Sequence, residues 1–357
     1  MDLRAGKPQR CWTQGGIRVL RRPRILVVGS FMMDLIASTE RAPREGETVI
    51  GLGFKTAPGG KGANQAVQCA RLGAEVTMVG RVGADAFGKQ LVDAVQAAGV
   101  DASHVGFDEN EPSGVGHITL EVSEHDARNR IIVCPGANFA MKREHIAWLR
   151  DEICHYDAVM MQLELPMDIV ETTAKWAKDA GVPVMLNPAP AAELSDQLLS
   201  CVTWLSPNEH EAAVLTGHSI NVSGGVDFSD IQEVADMLQA RGVKRLIITL
   251  GENGAVLVEG RDICHAESVH MPHVTDTTAA GDSFVAAFCT GISAGIEQKT
   301  ALDFACCAAA ITVTRMGAIP SLPSISEVQS LLARKGPIDL DPSCLEALKT
   351  LTRTQRC

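Results

Sequence analysis

Residues 276–284, DTTAAGDSF, set two carboxylates six positions apart across a run of small side chains. An apolar run with helical spacing follows from Phe284 to Phe288. The first N–H groups of a helix have no partner within it and lie at the positive end of its dipole. Small residues such as Ala279, Ala280 and Gly281 let a phosphate approach those N–H groups. Asp282 would then stand where a carboxylate can take a proton from a hydroxyl while the N–H groups hold the transferring charge. The same residues also read as an ordinary helix start, with Thr277 or Thr278 as cap and Asp282 as a favourable first-turn acid.

A second stretch, PGGKGANQ from Pro58 to Gln65, surrounds Lys61 with Gly59, Gly60 and Gly62 and adds Asn64, which offers a donor and an acceptor to a polyhydroxyl ligand. It is not a Walker A loop, because the glycine and lysine spacing is wrong. No GxGxxG follows the first strand, so a dinucleotide reading lacks its phosphate loop. A flexible turn before a helix explains the glycines but not Lys61 and Asn64 together. Asp34 and Glu164 each follow a buried strand, where they could accept from vicinal hydroxyls or serve as plain turn acids. Asn208 and Glu211 have the spacing of a capping box. The alternative is a water-mediated contact with a magnesium–phosphate unit, since Mg²⁺ keeps several waters. Thr249-Leu250-Gly251-Glu252-Asn253-Gly254 reads as a hairpin turn or as the wall of a nucleotide pocket.

These groups need a scaffold. Short branched runs predict strands at 24–30, 75–80, 158–162, 183–187, 202–205 and 245–250. Helical patterns fall at 61–72, 85–98, 166–180, 208–216 and 228–241, then at 280–294, 298–314 and 325–334. Strands alternating with helices predict an α/β fold with a mostly parallel central sheet flanked by helices. Strands at 48–56, 114–122 and 130–134 break the alternation and predict a small separate sheet, a lid.

The chain of 357 residues has 46% hydrophobic and 21% charged residues, a globular balance. Its net charge of -11 argues against a nucleic-acid partner. No apolar run approaches a membrane span. The 11 cysteines form no CxxC pair and no zinc spacing, which suits a reducing, cytoplasmic setting. Residues 1–24 hold seven of the basic side chains and one acid, Asp2. We read 1–23 as a basic extension, with organelle targeting the other reading. Residues 336–357 read as an appended tail after a domain at 24–335.

The motifs GSxxxD, GGKGANQA, QLE, NPAPA, PNExE, TLGxxG and DTTAAGDSF follow one another in this order. The series resembles the ribokinase-like (PfkB-type) carbohydrate kinase family over residues 24–335. GGKGANQ with QLE and NPAPA points to its ribose-phosphorylating branch. The resemblance implies transfer from ATP to O5 of D-ribose, with Asp282 as base and an anion hole at the N–H groups of Ala279, Ala280, Gly281 and Asp282. It places Met32, Met33, Asp34, Gly60, Lys61, Gly62, Ala63, Asn64 and Glu164 around the sugar. Asn208 and Glu211 would serve ATP and Mg²⁺, and Thr249 to Gly254 with Gly281 and Cys306 the nucleotide. A monovalent cation, K⁺, would sit at Asp276, Thr278, Thr312, Arg315, Gly317 and Ser321, several through backbone oxygen. Many bacterial members carry Asn-Ala-Asp where this chain has Met32-Met33-Asp34, so one sugar-contacting amide is missing. That departure keeps 2-deoxyribose, fructose and adenosine open as acceptors, and a sugar-binding sensor without turnover remains the reading of another class. Exposed lid faces predict a homodimer.

Overall fold

The computed structural model describes residues 22–122, 127–223 and 225–334. Arg24–Val28 forms β1. It is apolar from Ile25 to Val28 because both of its faces are covered: Ile25 and Val27 enter one core, Leu26 and Val28 the other. After Gly29-Ser30-Phe31 the chain crosses to a second sheet as β2 (Met32–Thr39) and β3 (Gly53–Gly59), then returns through α1 (Lys61–Arg71). β4 (Glu75–Gly83), α2 (Ala86–Ala97) and β5 (Asp101–Asp108) belong to the first sheet, β6 (Val115–Val122) and β7 (Ala127–Cys134) to the second. Two short helices, α3 (Arg143–Ile146) and α4 (Leu149–Glu152), lead to β8 (Ala158–Met161) and α5 (Met167–Asp179). β9 (Val184–Leu186), α6 (Asp196–Leu199), β10 (Trp204–Leu205), α7 (Glu209–Thr216), α8 (Phe228–Ala240) and β11 (Arg245–Thr249) continue the alternation. A hairpin of β12 (Ala255–Glu259) and β13 (Asp262–Ala266) precedes three helices, α9 (Ala280–Ala294), α10 (Gln298–Thr312) and α11 (Ile325–Leu332).

The nine-stranded sheet has the order β13-β12-β11-β10-β9-β8-β1-β4-β5. It is parallel from β11 to β5, and β12 is antiparallel to both of its neighbours. Strand order reverses beside β1, since β4 lies on one flank and β8 on the other. Ligands of such sheets gather outside the carboxyl ends of the strands at this point. The four-stranded sheet, β3-β2-β6-β7, stands over that position. Its roots are tied down by two side chains. Asn138 clasps both backbone groups of Phe31, accepting from its N–H (2.9 Å) and donating to its carbonyl (2.7 Å). Asp85 accepts from the N–H (2.8 Å) and hydroxyl (2.7 Å) of Ser113.

The lid is present, with boundaries that differ from expectation. The strand expected at 48–56 begins only at Gly53, because its register runs from Met32 opposite Gly59 to Ser38 opposite Gly53. Ile50 ahead of it is 95% exposed. β2 was not foreseen: Asp34 was placed just beyond the first strand, whereas it lies within this lid strand. β5 and the β12–β13 hairpin were also missed. Most of the basic stretch at 1–23 and all of 336–357 lie outside the described residues.

Candidate active site

The carboxyl ends of β1, β8, β9 and β10 deliver Ser30, Glu164, Asn187 and Asn208, while the starts of α1 and α9 deliver Lys61, Asn64 and Asp282. Asp282 is buried, yet its carboxylate is fully engaged. Asn64 Nδ2 donates to Oδ2 at 2.8 Å and Gln65 Nε2 donates to Oδ1 at 3.0 Å. Asn64 Oδ1 is buried and has no hydrogen-bond partner, so it is an acceptor left open beside the base.

Ahead of Asp282, Ala279 has φ 62°, and no other non-glycine among the described residues has a positive φ. Side chains rarely hold this conformation without a compensating role. It turns the chain abruptly into α9. The N–H of Ala280 is engaged by the carbonyl of Thr277 (3.2 Å). That removes Ala280 from the four expected anion-hole donors. Among the described residues, the N–H groups of Gly281 and Asp282 have no acceptor. A Cβ built on Gly281 would meet nothing within 4 Å, so open space fronts these donors.

Glu164 accepts from the Ser30 hydroxyl and from the Lys61 N–H (3.1 Å), joining β8 to α1. Burial raises its carboxyl above the usual range, against the opposing charge of Lys61. Burial also pulls the Lys61 ammonium down, but Asp282, Glu164 and Glu211 together leave it raised. Lys61 is thus the cation among these acids. Asp34 lies across from them on the lid, and its carboxyl is pushed up to about 6 by burial and by Glu164, Asp276 and Asp282. Gly116 and Gly59 make room for it: a Cβ on Gly116 would come within 2.6 Å of Asp34 Oδ1, and one on Gly59 within 3.3 Å of Oδ2. Met32, two residues earlier, shares that face of β2.

Asn208 and Glu211 form a reciprocal capping box, at 2.7 and 2.9 Å. Burial raises the Glu211 carboxyl. Asn208 bridges to Thr249, which sets this helix start beside the segment 249–254. That segment is the β11–β12 turn, with Gly251 and Glu252 exposed and Asn253 half-buried along it. Asp276 ties two loops together, accepting from the N–H and hydroxyl of Thr278 (3.0 and 2.7 Å) and from the N–H of Gly317 (2.8 Å). Those bonds hold its carboxyl below the usual range despite burial. The N–H groups of Thr275 and Asp276 both donate to Val313 O, so residues 275–278 and 312–317 run side by side.

Several expected contacts are displaced. Met33, Ala63, Leu250 and Cys306 turn their side chains into the cores, so they face the site with backbone at most. Arg315 pairs with Glu327, and the Thr312 and Ser321 hydroxyls donate to Ala308 O (2.9 Å) and Ala318 O (2.7 Å). Any cation role of Arg315 therefore falls to its backbone oxygen, while the two hydroxyls keep their lone pairs. Sequence reasoning missed Gln65, Gln162 and Gly116 as site residues. Gln162 and Asn187 open the QLE and NPAPA motifs, which was a usable signal, whereas Gly116 gave none.

A buried carboxylate at a helix start, beside unpaired N–H groups and beneath a lid bearing a second acid, defines a phosphotransferase for a hydroxylated acceptor. The chain belongs to the pfkB family of carbohydrate kinases, which it matches over residues 22–325. It is 39% identical over 311 residues to a ribokinase of Schizosaccharomyces pombe, covering 85% of this chain and 96% of that one. It is 32% identical over 314 residues to a deoxyribokinase of Salmonella typhi, with 87% and 98% covered. An Arabidopsis thaliana ribokinase solved with ribose and ATP matches with TM-score 0.79 and 35% identity, over 87% of this chain and 99% of its own.

Proposed function

We propose that this chain transfers the γ-phosphoryl group of ATP to O5 of D-ribose, giving D-ribose 5-phosphate and ADP. The observation that carries this reading is the double amide grip on Asp282 beside the unpaired N–H groups of Gly281 and Asp282. Asp282 accepts the proton of the attacking hydroxyl. The N–H groups receive charge on the phosphoryl oxygens, which suits a reaction governed by positioning and electrostatics. Asp34, Lys61, Asn64 and Glu164 orient the sugar. The nucleotide lies toward Asn208 and the turn at 249–254. Glu211 with Asn208 would hold Mg²⁺ through water, and the ion would supply positive charge to offset that of the phosphates. The paired loops 275–278 and 312–317 offer backbone oxygens that fit a monovalent cation such as K⁺.

A second acceptor is favoured by one feature. Met32 stands on the sugar-facing side of β2 where an amide would hold a hydroxyl, and one of the relatives is a deoxyribokinase. The test is ADP release with ribose, 2-deoxyribose, fructose and adenosine, with and without K⁺. Ribose-dependent, K⁺-stimulated turnover is expected. Preference for 2-deoxyribose would move the substrate and keep the mechanism, and sugar binding without any turnover would make the chain a sensor.

In the same assay the KM for sugar is expected to climb as pH falls through about 6, where Asp34 gains a proton and stops accepting from hydroxyls. Because this carboxyl is raised in the folded protein, its protonation stabilises the fold as pH falls through that value. The loss should therefore appear in KM without a fall in melting temperature. A flat KM between about pH 8 and about pH 5 removes Asp34 from the sugar site.

We further propose a homodimer through the lid. Phe54 on β3 (68% exposed) and Ile132 on β7 (64%), with Ile131 and Val133, leave apolar surface facing outward. Light scattering at micromolar concentration should give twice the chain mass, and Phe54→Asp with Ile132→Asp should halve it. A monomeric parent ends this proposal. Among the described residues no helix is long and apolar enough to cross a membrane, and we read the enzyme as cytoplasmic.

A further inference from the structure

Gln162 and Asn187 have no part in the roles assigned above and Gln65 enters only as one of the two amides on Asp282, yet all three are buried polar side chains at the site. They come from three separate segments, GANQA, QLE and NPAPA, and converge on one point. Gln162 Nε2 donates to Gln65 Oε1 at 2.5 Å. Gln65 Nε2 donates to Asp282 Oδ1 (3.0 Å) and to Asn187 Oδ1 (3.3 Å). Asn187 Nδ2 donates to the carbonyl of Ser206 (2.9 Å).

An amide has one accepting end and one donating end, and a carboxylate only accepts. Ser206 O fixes which end of Asn187 faces Gln65. Asn187 Oδ1 and the Asp282 carboxylate, both acceptors, then fix which end of Gln65 faces them, and Gln162 Nε2 holds its other end, although Gln162 Oε1 itself finds no partner among the described residues. A reversed Gln65 amide would set its oxygen against the Asp282 carboxylate and Asn187 Oδ1 at once, and its nitrogen against that of Gln162. All of its hydrogen-bonding capacity at Nε2 is already used, so the group cannot turn. Gln65 and Gln162 are 0% and 1% exposed, so water does not compete for these bonds.

Resting on the kinase reading above, we infer that Gln65 is a positioning residue, locked by Gln162 and Asn187, that reserves Asp282 Oδ1 for this amide chain and leaves Oδ2 as the atom that takes the hydroxyl proton. Among the described residues each oxygen carries one amide bond, Oδ1 from Gln65 and Oδ2 from Asn64, and what sets Oδ2 apart is the open acceptor Asn64 Oδ1 beside it. The sugar hydroxyl therefore meets the base from the Asn64 side. The other charged groups acting on Asp282 are Lys61 of α1, Asp34 of β2, Glu164 after β8 and Glu211 of α7. None of them touches Oδ1.

The test compares Gln65→Glu, Gln65→Leu, Gln162→Met and the double variant Gln65→Leu/Gln162→Met, using the acceptor that the parent turns over best. Gln65→Glu replaces a donor by a second carboxylate, and adjacent carboxylates cannot both ionise freely. Its kcat should fall by roughly a hundredfold, with the KM for ATP changed less than about threefold. The acid limb of its kcat–pH profile should rise by about one unit or more. Gln162→Met does not touch Asp282, yet should cost roughly tenfold in kcat by leaving Gln65 Oε1 without its donor and loosening the side chain that holds Asp282 Oδ1. In the Gln65→Leu background the same change should cost nothing further. A merely structural glutamine would lower the melting temperature, leave the acid limb in place and let the two losses multiply, and either an unmoved limb or multiplying losses overturns the inference. If Gln65→Glu does not fold, the Gln162→Met series decides alone. A parent with no turnover on any acceptor sinks the functional reading and this inference with it. An active parent that fails these comparisons sinks the inference only.

Discussion

Replacing Asp282 by asparagine lowers kcat by roughly a thousandfold or more while sugar and ATP still bind. The amide can no longer take a proton, and that alone removes the base. It also disturbs its surroundings in a defined way. Both carboxylate oxygens accept from amide nitrogens, of Asn64 and of Gln65. An asparagine presents one oxygen and one NH₂, so one of those donors faces another donor. A buried unmet polar group costs about 1–3 kcal/mol, and the melting temperature should fall accordingly. Calorimetry with each ligand, alongside single-turnover ADP release, separates binding from chemistry. Turnover kept within about tenfold of the parent would show that another group takes the proton.

The second large effect sets two glycines against each other. A Cβ on Gly62 would lie 2.4 Å from the N of Ser30, 2.5 Å from the C of Gly29 and 2.6 Å from its Cα. All three are backbone atoms at the end of the central strand β1, and none can swing aside. Gly62→Ala should destabilise the protein by about 3 kcal/mol or more, although alanine is the better helix former by about 1 kcal/mol. Urea unfolding measures it, and a midpoint equal to that of the parent would refute the close approach. Gly281→Ala should behave in the opposite manner. Its Cβ would point into open space, so the fold should hold or gain up to about 1 kcal/mol. Yet that methyl occupies the approach to the N–H groups of Gly281 and Asp282, and kcat should fall by roughly a hundredfold. One glycine is kept clear by protein, the other for a ligand.

Much of this architecture was legible because its causes are local. β1, β8 and β11 are unbroken apolar runs, and α9 announces itself through small residues followed by buried aromatics. Asn208 and Glu211 had the spacing of a capping box and form one. What escaped depends on partners distant in sequence. β2 was not foreseen because Met32 to Thr39 carries an acid and mixed polarity, and only pairing with β3 and β6 makes it a strand. Thr48 to Leu52 look strand-like, yet in the register set by β2 they fall outside the ladder. At the site, Asp282, Lys61, Asn64 and Glu164 were visible as chemistry. Gln65 was not, because its meaning lies in Gln162 and Asn187, 97 and 122 residues away. Met33 misled for the converse reason: its neighbours Met32 and Asp34 face the site, but its own side chain turns inward.

The open oxygen of Asn64 carries a last consequence. It is enclosed and no described protein group donates to it, and a buried acceptor left unmet costs about 1–3 kcal/mol. A sugar with a hydroxyl at that point removes the penalty on arrival. A near-identical sugar lacking it displaces water and leaves the oxygen as it was. Selectivity at this position then arises from intolerance more than from attraction: the cavity is uncomfortable by default, and few visitors can put it at ease.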